Sequence, residues 1–547
     1  MGMSFLNHKW FFPVLIVLSG VAVYANSLHN GFTFDDWPLL VQNPLVQRFD
    51  TGAIFLSPYW VGHPEYGLYR PLTTLSYAVN RMFFGDGAAG FHGVNVGLHM
   101  VNALLVFVSM RRFLDRLFAG VCALMFLLNP LQTEAVNSIV GRAELLAAFW
   151  MLIAWMCFLF LTGWRKWGFS ALAIFLGCLC KEHTAMMVGI IAIAEGLIEK
   201  QPEKAKPSLF SKETVSGILL CVFAVGVFLV LRYAVVGAVL LPSKPAFVDN
   251  PLAYVSGWER VLTALTVIWH YAVLFLFAGP YSADYSFDAI PVVTSVVNWR
   301  VWAGGAIVGV LIFAIIGGIK RDHRVGPICC LGVLWMLFPA LPVSNLLFPI
   351  GTVMAERLMY VPMIGWALVW GWGCHQMALR WPRYAFVILL LMFTGFGKTA
   401  IQRNADWQND QTLFASAVVA QPHSAKAHFN LGNAVRDLGD LQMALEHYDR
   451  ALVIYPQYAE VYYNIGVIQQ QTGQREMALS AYQKAIGADS VHVSAWNNLG
   501  VVLAERGDYQ KAADAFLHAV KIKPNWQEAQ DNLKLAQELL KRTGIEK

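Results

Sequence analysis

The sequence predicts an all-α protein, a polytopic bundle of membrane-spanning helices followed by a helical solenoid. Three observations predict it. Hydrophobic residues make up 57% of the chain and charged residues 14%, against about 25% charged in an average soluble protein. Apolar stretches near the ~20 residues that cross a bilayer recur from the N-terminus onward. Beyond residue 403 that pattern stops and a 34-residue period begins.

Candidate spans fall at 10–27, 91–110, 117–135, 144–162, 167–180, 184–199, 214–232, 258–279, 301–319, 327–343, 356–374 and 384–401. The first, from Trp10 to Val23 and beyond, is long for the apolar region of a cleavable signal and lacks a small-x-small exit, so it reads as a retained span. Basic clusters orient the rest. Arg111–Arg112–Arg116, Arg165–Lys166 and the loop 200–212 lie inside if the N-terminus is inside, which puts the loop 28–90 outside. Lys320–Arg324 and Arg380–Arg383 also belong inside, so one of the twelve segments does not cross fully; 258–279, or the stretch 233–257 before it, is the expected one. About eleven crossings then leave the C-terminal domain outside. The net charge of +5 is modest and gives no case for nucleic acid. Eight cysteines show no metal-ligand spacing; Cys122, Cys157, Cys178, Cys221 and the pair Cys329–Cys330 sit in apolar stretches, as buried small side chains do.

In the C-terminal part, Gly432, Gly466 and Gly500 are 34 residues apart, as are Asn430, Asn464 and Asn498. The same step links Gly439, Gly473 and Gly507, then Ala444, Ala478 and Ala512, and then Tyr448, Tyr482 and Phe516. This is the tetratricopeptide period, in which paired helices pack through small residues and aromatic fillers. A half-unit at 404–424 precedes repeats at 425–458, 459–492 and 493–526, and a polar helix at 527–541 reads as the cap.

The strongest chemical candidate is Asn30-Gly31-Phe32-Thr33-Phe34-Asp35-Asp36-Trp37, just beyond the first span. Neighbouring side chains point in different directions. One aspartate can therefore face a reacting hydroxyl as a base while the other orients a group or helps bind a cation. An isolated acidic pair is more often a solvated turn, but charged residues recur at the outer span ends: Arg70, Glu134, Arg142, Glu144, Lys181–Glu182 and Glu356–Arg357. Ionisable residues inside a membrane are expensive and line polar cavities or pair with one another. Lys181–Glu182 and Glu356–Arg357 are also what simple interfacial charges look like. The histidines are scattered without metal spacing, and there is no phosphate loop, nucleophile elbow or dinucleotide fingerprint.

Taken in order, Phe-Asp-Asp (34–36), Tyr-Arg-Pro-Leu-Thr (69–73), Thr-Glu-Ala-Val (133–136), Val-Gly-Arg-Ala-Glu (140–144), Lys-Glu (181–182), Ala-Asp-Tyr-Ser (283–286), Pro-Val-Ser-Asn-Leu-Leu-Phe-Pro (342–349) and Ala-Glu-Arg-Leu-Met-Tyr (355–360) resemble the GT-C glycosyltransferases. They are most similar to the transmembrane and tetratricopeptide repeat-containing O-mannosyltransferases. Each phrase is weak alone and their collinearity is specific. The resemblance implies inverting transfer of mannose or another hexose from a polyprenyl-phosphate donor on the extracytoplasmic side. It makes Asp35 the general base, with Asp36 assisting by positioning the donor or holding a divalent cation, Mg²⁺ or Mn²⁺. Guanidinium groups suit a departing lipid phosphate. Arg142 and Arg357 are the first candidates, Lys181 and Arg70 the next, with Glu144 and Glu356 completing the donor set. Trp37, Tyr69 and Tyr360 stack on sugar or belong to the interfacial aromatic belt. The repeats imply a polypeptide acceptor or partner. The short array and the lack of an Asn-x-Ser/Thr sequon point to a bacterial relative, with site and repeats on the periplasmic side of an inner membrane; a eukaryotic source would place it in the endoplasmic reticulum. Two rivals stand beside this reading. One is the same fold acting on a lipid or envelope glycan; the other is a non-catalytic scaffold displaying its repeats.

Overall fold

The computed structural model describes residues 8–198, 211–239, 243–277, 279–320 and 325–542, and among these there is no β-strand. The chain divides into two compact units, one of Met1–Tyr285 with Ile290–Ala420, the other of Ser286–Ala289 with Gln421–Lys547.

In the first unit each of the twelve apolar segments contains a helix. Among the described residues, seven helices are long and apolar enough to cross a membrane: Phe11–His29, Ala88–Met110, Ile139–Phe160, Lys212–Val236, Gly257–Leu276, Trp299–Gly317 and Pro382–Asp406. An eighth is the bent pair Arg116–Leu128 and Pro130–Asn137, which meet at 50°. The bend has a local cause. Pro130 has no N–H to continue the ladder, and the Asn129 side chain accepts from Leu131 N (3.0 Å) to start a new turn. The remaining four segments form Gly163–Cys178, Met187–Ile198, Val325–Ala340 and Pro362–Arg380.

Small residues let these helices approach closely. Val325–Ala340 and Pro362–Arg380 meet at Gly332 and Gly365, where a Cβ on either would run into the other's carbonyl. Large rings fill the interior, with Trp155 and Trp335 packed edge to face at 5.9 Å. Phe386, Leu390 and Leu391 on Pro382–Asp406 stay exposed, the outward apolar face of a helix whose solvent is lipid. The helix Gly257–Leu276 is tied at two places to one loop. Asn250, just before it, donates to Ile350 O (2.7 Å), and Tyr271 donates to Ala355 O (2.9 Å).

In the second unit three helix pairs repeat the same contact. A Cβ at Gly432, Gly466 or Gly500 would lie 2.5, 2.6 or 2.7 Å from the ring of Tyr448, Tyr482 or Phe516, so only glycine admits the aromatic residue of the paired helix. Gly439, Gly473 and Gly507, at φ +90°, +77° and +90°, make the turn between the paired helices in the left-handed conformation glycine adopts without strain. The segment Ser286–Ala289 joins this unit through Ala425 N donating to Phe287 O (2.8 Å) and Asp288 N donating to His423 O (3.0 Å). The helix Asp410–Ala420, grouped with the repeats in the sequence reading, clusters instead with the first unit. Its Phe414 meets Phe34 edge to face at 5.4 Å.

Candidate active site

The loop carrying the two aspartates follows the helix Phe11–Tyr24 and is anchored on several sides. The Asn30 side chain donates to Asn404 O (2.9 Å), Gly31 N donates to Gln408 O (2.9 Å), and His92 Nε2 lies 3.2 Å from Gly31 O. Phe34 is held at φ +48°, a strained position for a bulky side chain, by its N–H donating to Asp410 Oδ1 (2.7 Å).

That turn sends the neighbouring carboxylates to different places. Asp36 is fully buried: Oδ2 accepts from Thr33 N (3.0 Å) and Oδ1 from Val140 N (3.1 Å), pinning the loop to the turn before Arg142. Burial pushes its carboxyl up to about 7, with the Thr33 and Val140 N–H groups pulling the other way and the Asp35 charge adding to the rise. Asp35 is half-buried, and its charge acts on Arg357 and on Tyr59.

Around Asp35 the helix ends bring charged side chains together from five parts of the chain. Arg70, which starts the helix Pro71–Phe84, donates to Glu182 Oε2 through Nη2 (3.0 Å) and Nε (3.3 Å) and lies over the Tyr59 ring at 5.3 Å. Arg232, near the end of Lys212–Val236, approaches the other oxygen of Glu182 at 3.3 Å and donates to Gly67 O (2.6 Å). Burial alone would raise Glu182, but Arg70 and Arg232 outweigh it and hold the carboxyl at about 2. Lys181 pairs with Glu144, and His183 Nε2 lies 3.7 Å from the same carboxylate. Arg357 donates its backbone N–H (2.8 Å) and Nη1 (2.5 Å) to the buried Glu134. The charge of Arg357 also acts on Lys181. Its side chain remains 33% exposed, against 10% for Lys181 and 13% for Arg70, so it is the most accessible cation of the group.

Of the residues singled out by sequence, the structure thus gathers Asp35, Arg70, Glu144, Lys181 and Arg357. It places the other three differently. Arg142 is fully buried and occupied: Nε donates to Asn95 (2.8 Å), Nη2 to Asn80 (2.8 Å) and Phe91 O (2.9 Å), and Nη1 to Ser76 O (3.2 Å), with Tyr77 and Phe91 against its faces. Glu356 points away from Arg357, accepting from Tyr285 Oη (2.7 Å) and Ser282 N (2.6 Å), with Arg403 4.0 Å away. Asp36 does not fit a cation, because it is closed from solvent and both oxygens face N–H donors. Among the described residues no group of three or more His, Cys, Asp or Glu has metal-holding geometry. Tyr69 and Tyr360 are core residues rather than sugar platforms or belt. Tyr69 donates to Phe55 O (2.9 Å), and the Tyr360 hydroxyl is shared by His99 (2.8 Å) and Asn102 (3.2 Å). Trp37 is 41% exposed.

Glu134 and Glu182 stand among the charged residues at the span ends with no role assigned to them by sequence, and Arg232 was missed. Its signal was available, a lone cation near the end of a long apolar stretch.

Three parts of the chain match known families. Residues 242–312 match the model for Protein O-mannosyl-transferase TMTC, DUF1736. Residues 432–473 and 463–525 match tetratricopeptide repeat models. Protein O-mannosyl-transferase TMTC3 of Homo sapiens is 27% identical over 80% of this chain and 50% of its own length. TMTC4 of Homo sapiens is 28% identical over 79% of this chain and 65% of its own, and Tmtc3 of Drosophila melanogaster 28% over 80% and 54%. The chain therefore spans about half to two thirds of the length of these curated relatives. Across most of its own length it is similar to the TMTC protein O-mannosyl-transferases, with their DUF1736 region at 242–312 and tetratricopeptide repeats behind it.

Proposed function

We propose that the chain is a multi-pass membrane glycosyltransferase that moves mannose or another hexose from a polyprenyl-phosphate carrier to Ser or Thr hydroxyls of an extracytoplasmic polypeptide. The observation that carries the reading is the half-buried Asp35 set beside Arg357, with Lys181 and Arg70 behind it, in a chain similar to named O-mannosyl-transferases. The acceptor hydroxyl oxygen attacks the anomeric carbon from the face opposite the phosphate. Asp35 takes the hydroxyl proton as the new C–O bond forms. The bond to the phosphate oxygen breaks, and the lipid phosphate leaves with the electron pair, giving an inverted product. Arg357, the most accessible cation, meets the growing phosphate charge, with Lys181 and Arg70 supporting it. Asp36 is a positioning residue: by pinning the loop to Val140 it fixes where Asp35 points. Arg142 does the same from within the packed helices, and no step runs through a metal.

Two sets of contacts support eleven crossings. The segment 250–271 is bonded at both places to the loop 345–355, as suits a helix lying along the membrane surface. The last crossing helix ends against the Asp35 loop, with Asn30 bonded to Asn404 O and Gly31 to Gln408 O. The repeats hold the acceptor polypeptide in this reading.

The test is sugar transfer by the purified full chain from a panel of radiolabelled polyprenyl-phosphate sugars, run beside Asp35→Asn. The variant is expected to lose about 10²- to 10⁴-fold in rate. Equal rates in the two proteins exclude Asp35 as the base, and failure to bind any donor removes the transferase reading.

A further inference from the structure

The DUF1736 segment carries a half-open cavity of its own of about 260 Å³. Thr266 and His270 line it from the helix Gly257–Leu276, residues 290–298 form the facing wall, and Arg300 closes it from the first turn of the helix Trp299–Lys320. The wall is braced: Val293 N donates to Thr263 Oγ1 (2.9 Å), and Trp302 Nε1 donates to Val296 O (2.8 Å).

The lining chemistry has one sign. It contains a guanidinium, an imidazole, the Asn298 amide and the hydroxyls of Thr294 and Ser295, and no carboxylate. Arg300 is the cation of that lining, and a guanidinium beside an imidazole, an amide and two hydroxyls offers an anion one charge and several hydrogen-bond donors. Asn298 accepts from Arg300 N through Oδ1 (3.0 Å), which leaves its NH₂ as a donor. The volume is many times the ~10–15 Å³ that admits one water and lies below the ~300 Å³ at which drug-sized pockets begin. It suits a compact charged group, not a whole lipid. Beside it, Trp299, Trp302 and Val297 are 58, 67 and 87% exposed, and exposed tryptophans at the start of a crossing helix mark the membrane–water interface.

We propose that this cavity binds the phosphate group of a membrane lipid, with Arg300 and His270 meeting its charge and the acyl chains lying along Trp299 and Trp302. The site is separate from the sugar-transfer cluster and requires only that the helix Trp299–Lys320 crosses a membrane.

The test measures retention of fluorescent phosphatidylglycerol and neutral phosphatidylcholine by the detergent-purified full chain. It compares the wild type, Arg300→Ala, Arg300→Ala/His270→Ala and, as a control cation at another helix end, Arg380→Ala. Arg300 is exposed, so its truncation is expected to leave the circular-dichroism melt unchanged. Arg300→Ala is expected to weaken phosphatidylglycerol about tenfold, the loss of one charge-assisted contact. The double variant is expected to weaken it further, and phosphatidylcholine and the control to stay unchanged. Equal retention by wild type and double variant, or an equal loss in Arg380→Ala, overturns the site. Inorganic phosphate that displaces phosphatidylglycerol, in a protein with no preference between the two lipids, makes the ligand a free anion and overturns the lipid source.

Discussion

In the repeat unit a glycine faces an aromatic ring three times over, Gly432 on Tyr448, Gly466 on Tyr482 and Gly500 on Phe516, and each contact lies within one helix pair. In the first unit the corresponding close contacts are between charges, Lys181 with Glu144, Arg357 with Glu134, and Arg70 and Arg232 with Glu182, and each joins residues distant in sequence. The repeats gain stability locally, so an error stays where it is made. The buried charges are conditional on one another. Removing one partner costs more than the pair contributes, because the other is left uncompensated in a low-dielectric interior.

The largest expected effect separates chemistry from both kinds of stability. Asp35 is half-buried, unlike Glu134 and Glu144, so Asp35→Asn is expected to cut transfer about 10²- to 10⁴-fold while leaving the unfolding midpoint within about 0.5 kcal/mol of wild type. A parallel loss of stability would make Asp35 part of the structural network instead. The next effect tests conditionality itself. Lys181→Met strands Glu144, which is 2% exposed, and is expected to cost about 3–5 kcal/mol. Lys181→Met/Glu144→Gln is expected to recover most of that in a double-mutant cycle, without recovering donor affinity. Additive losses would show that the pair is not coupled.

Smaller again is the repeat counterpart. A Cβ at Gly466 meets the Tyr482 ring at 2.6 Å, so Gly466→Ala is expected to cost about 1–3 kcal/mol by overpacking. Amide exchange is expected to quicken over Ala459–Ala488 and to stay as it is in the helix Arg142–Phe160. Faster exchange in both places would erase the contrast between local and conditional packing.

Much of this was legible in the sequence, for different reasons in each unit. The 34-residue step named the glycine and the aromatic residue of every repeat, because one contact recurs at one spacing. The helices of the first unit were equally plain, since apolar length is a one-dimensional signal. What the chain order does not carry is direction. Arg142 and Glu144 lie two positions apart on one helix, about 200° around its axis. One therefore enters the packed Asn80–Asn95 nest while the other meets Lys181. Glu356 and Arg357 diverge in the same way, toward Tyr285 and Glu134. Arg232 ends the span read as 214–232, where a basic residue is easily taken for a membrane-end marker, and only the fold brings it to Glu182.

The last contrast lies within the site and is read through pH. Glu182 falls from its ordinary 4.5 to about 2 in the folded protein, so the stability it contributes is present above about 4.5 and lost as pH falls toward 2. Asp36 has the opposite sign. Its folded value of about 7 against an ordinary 3.8 means that the folded state holds the proton more tightly. Its contribution is complete below about pH 4 and is lost as pH rises to about 7, with a slope of at most ~1.4 kcal/mol per pH unit. Asp36→Asn carries no titrating proton, so it is expected to flatten the stability profile between pH 4 and 7. The amide turns an N–H toward either Thr33 N or Val140 N, which adds about 1–3 kcal/mol of destabilisation at every pH. The informative quantity is therefore the slope and not the midpoint. Unfolding midpoints measured from pH 4 to 8 with an unchanged slope in the variant would mean that Asp36 is ionised throughout, and that the loop before Arg142 is pinned by a carboxylate rather than by a carboxylic acid.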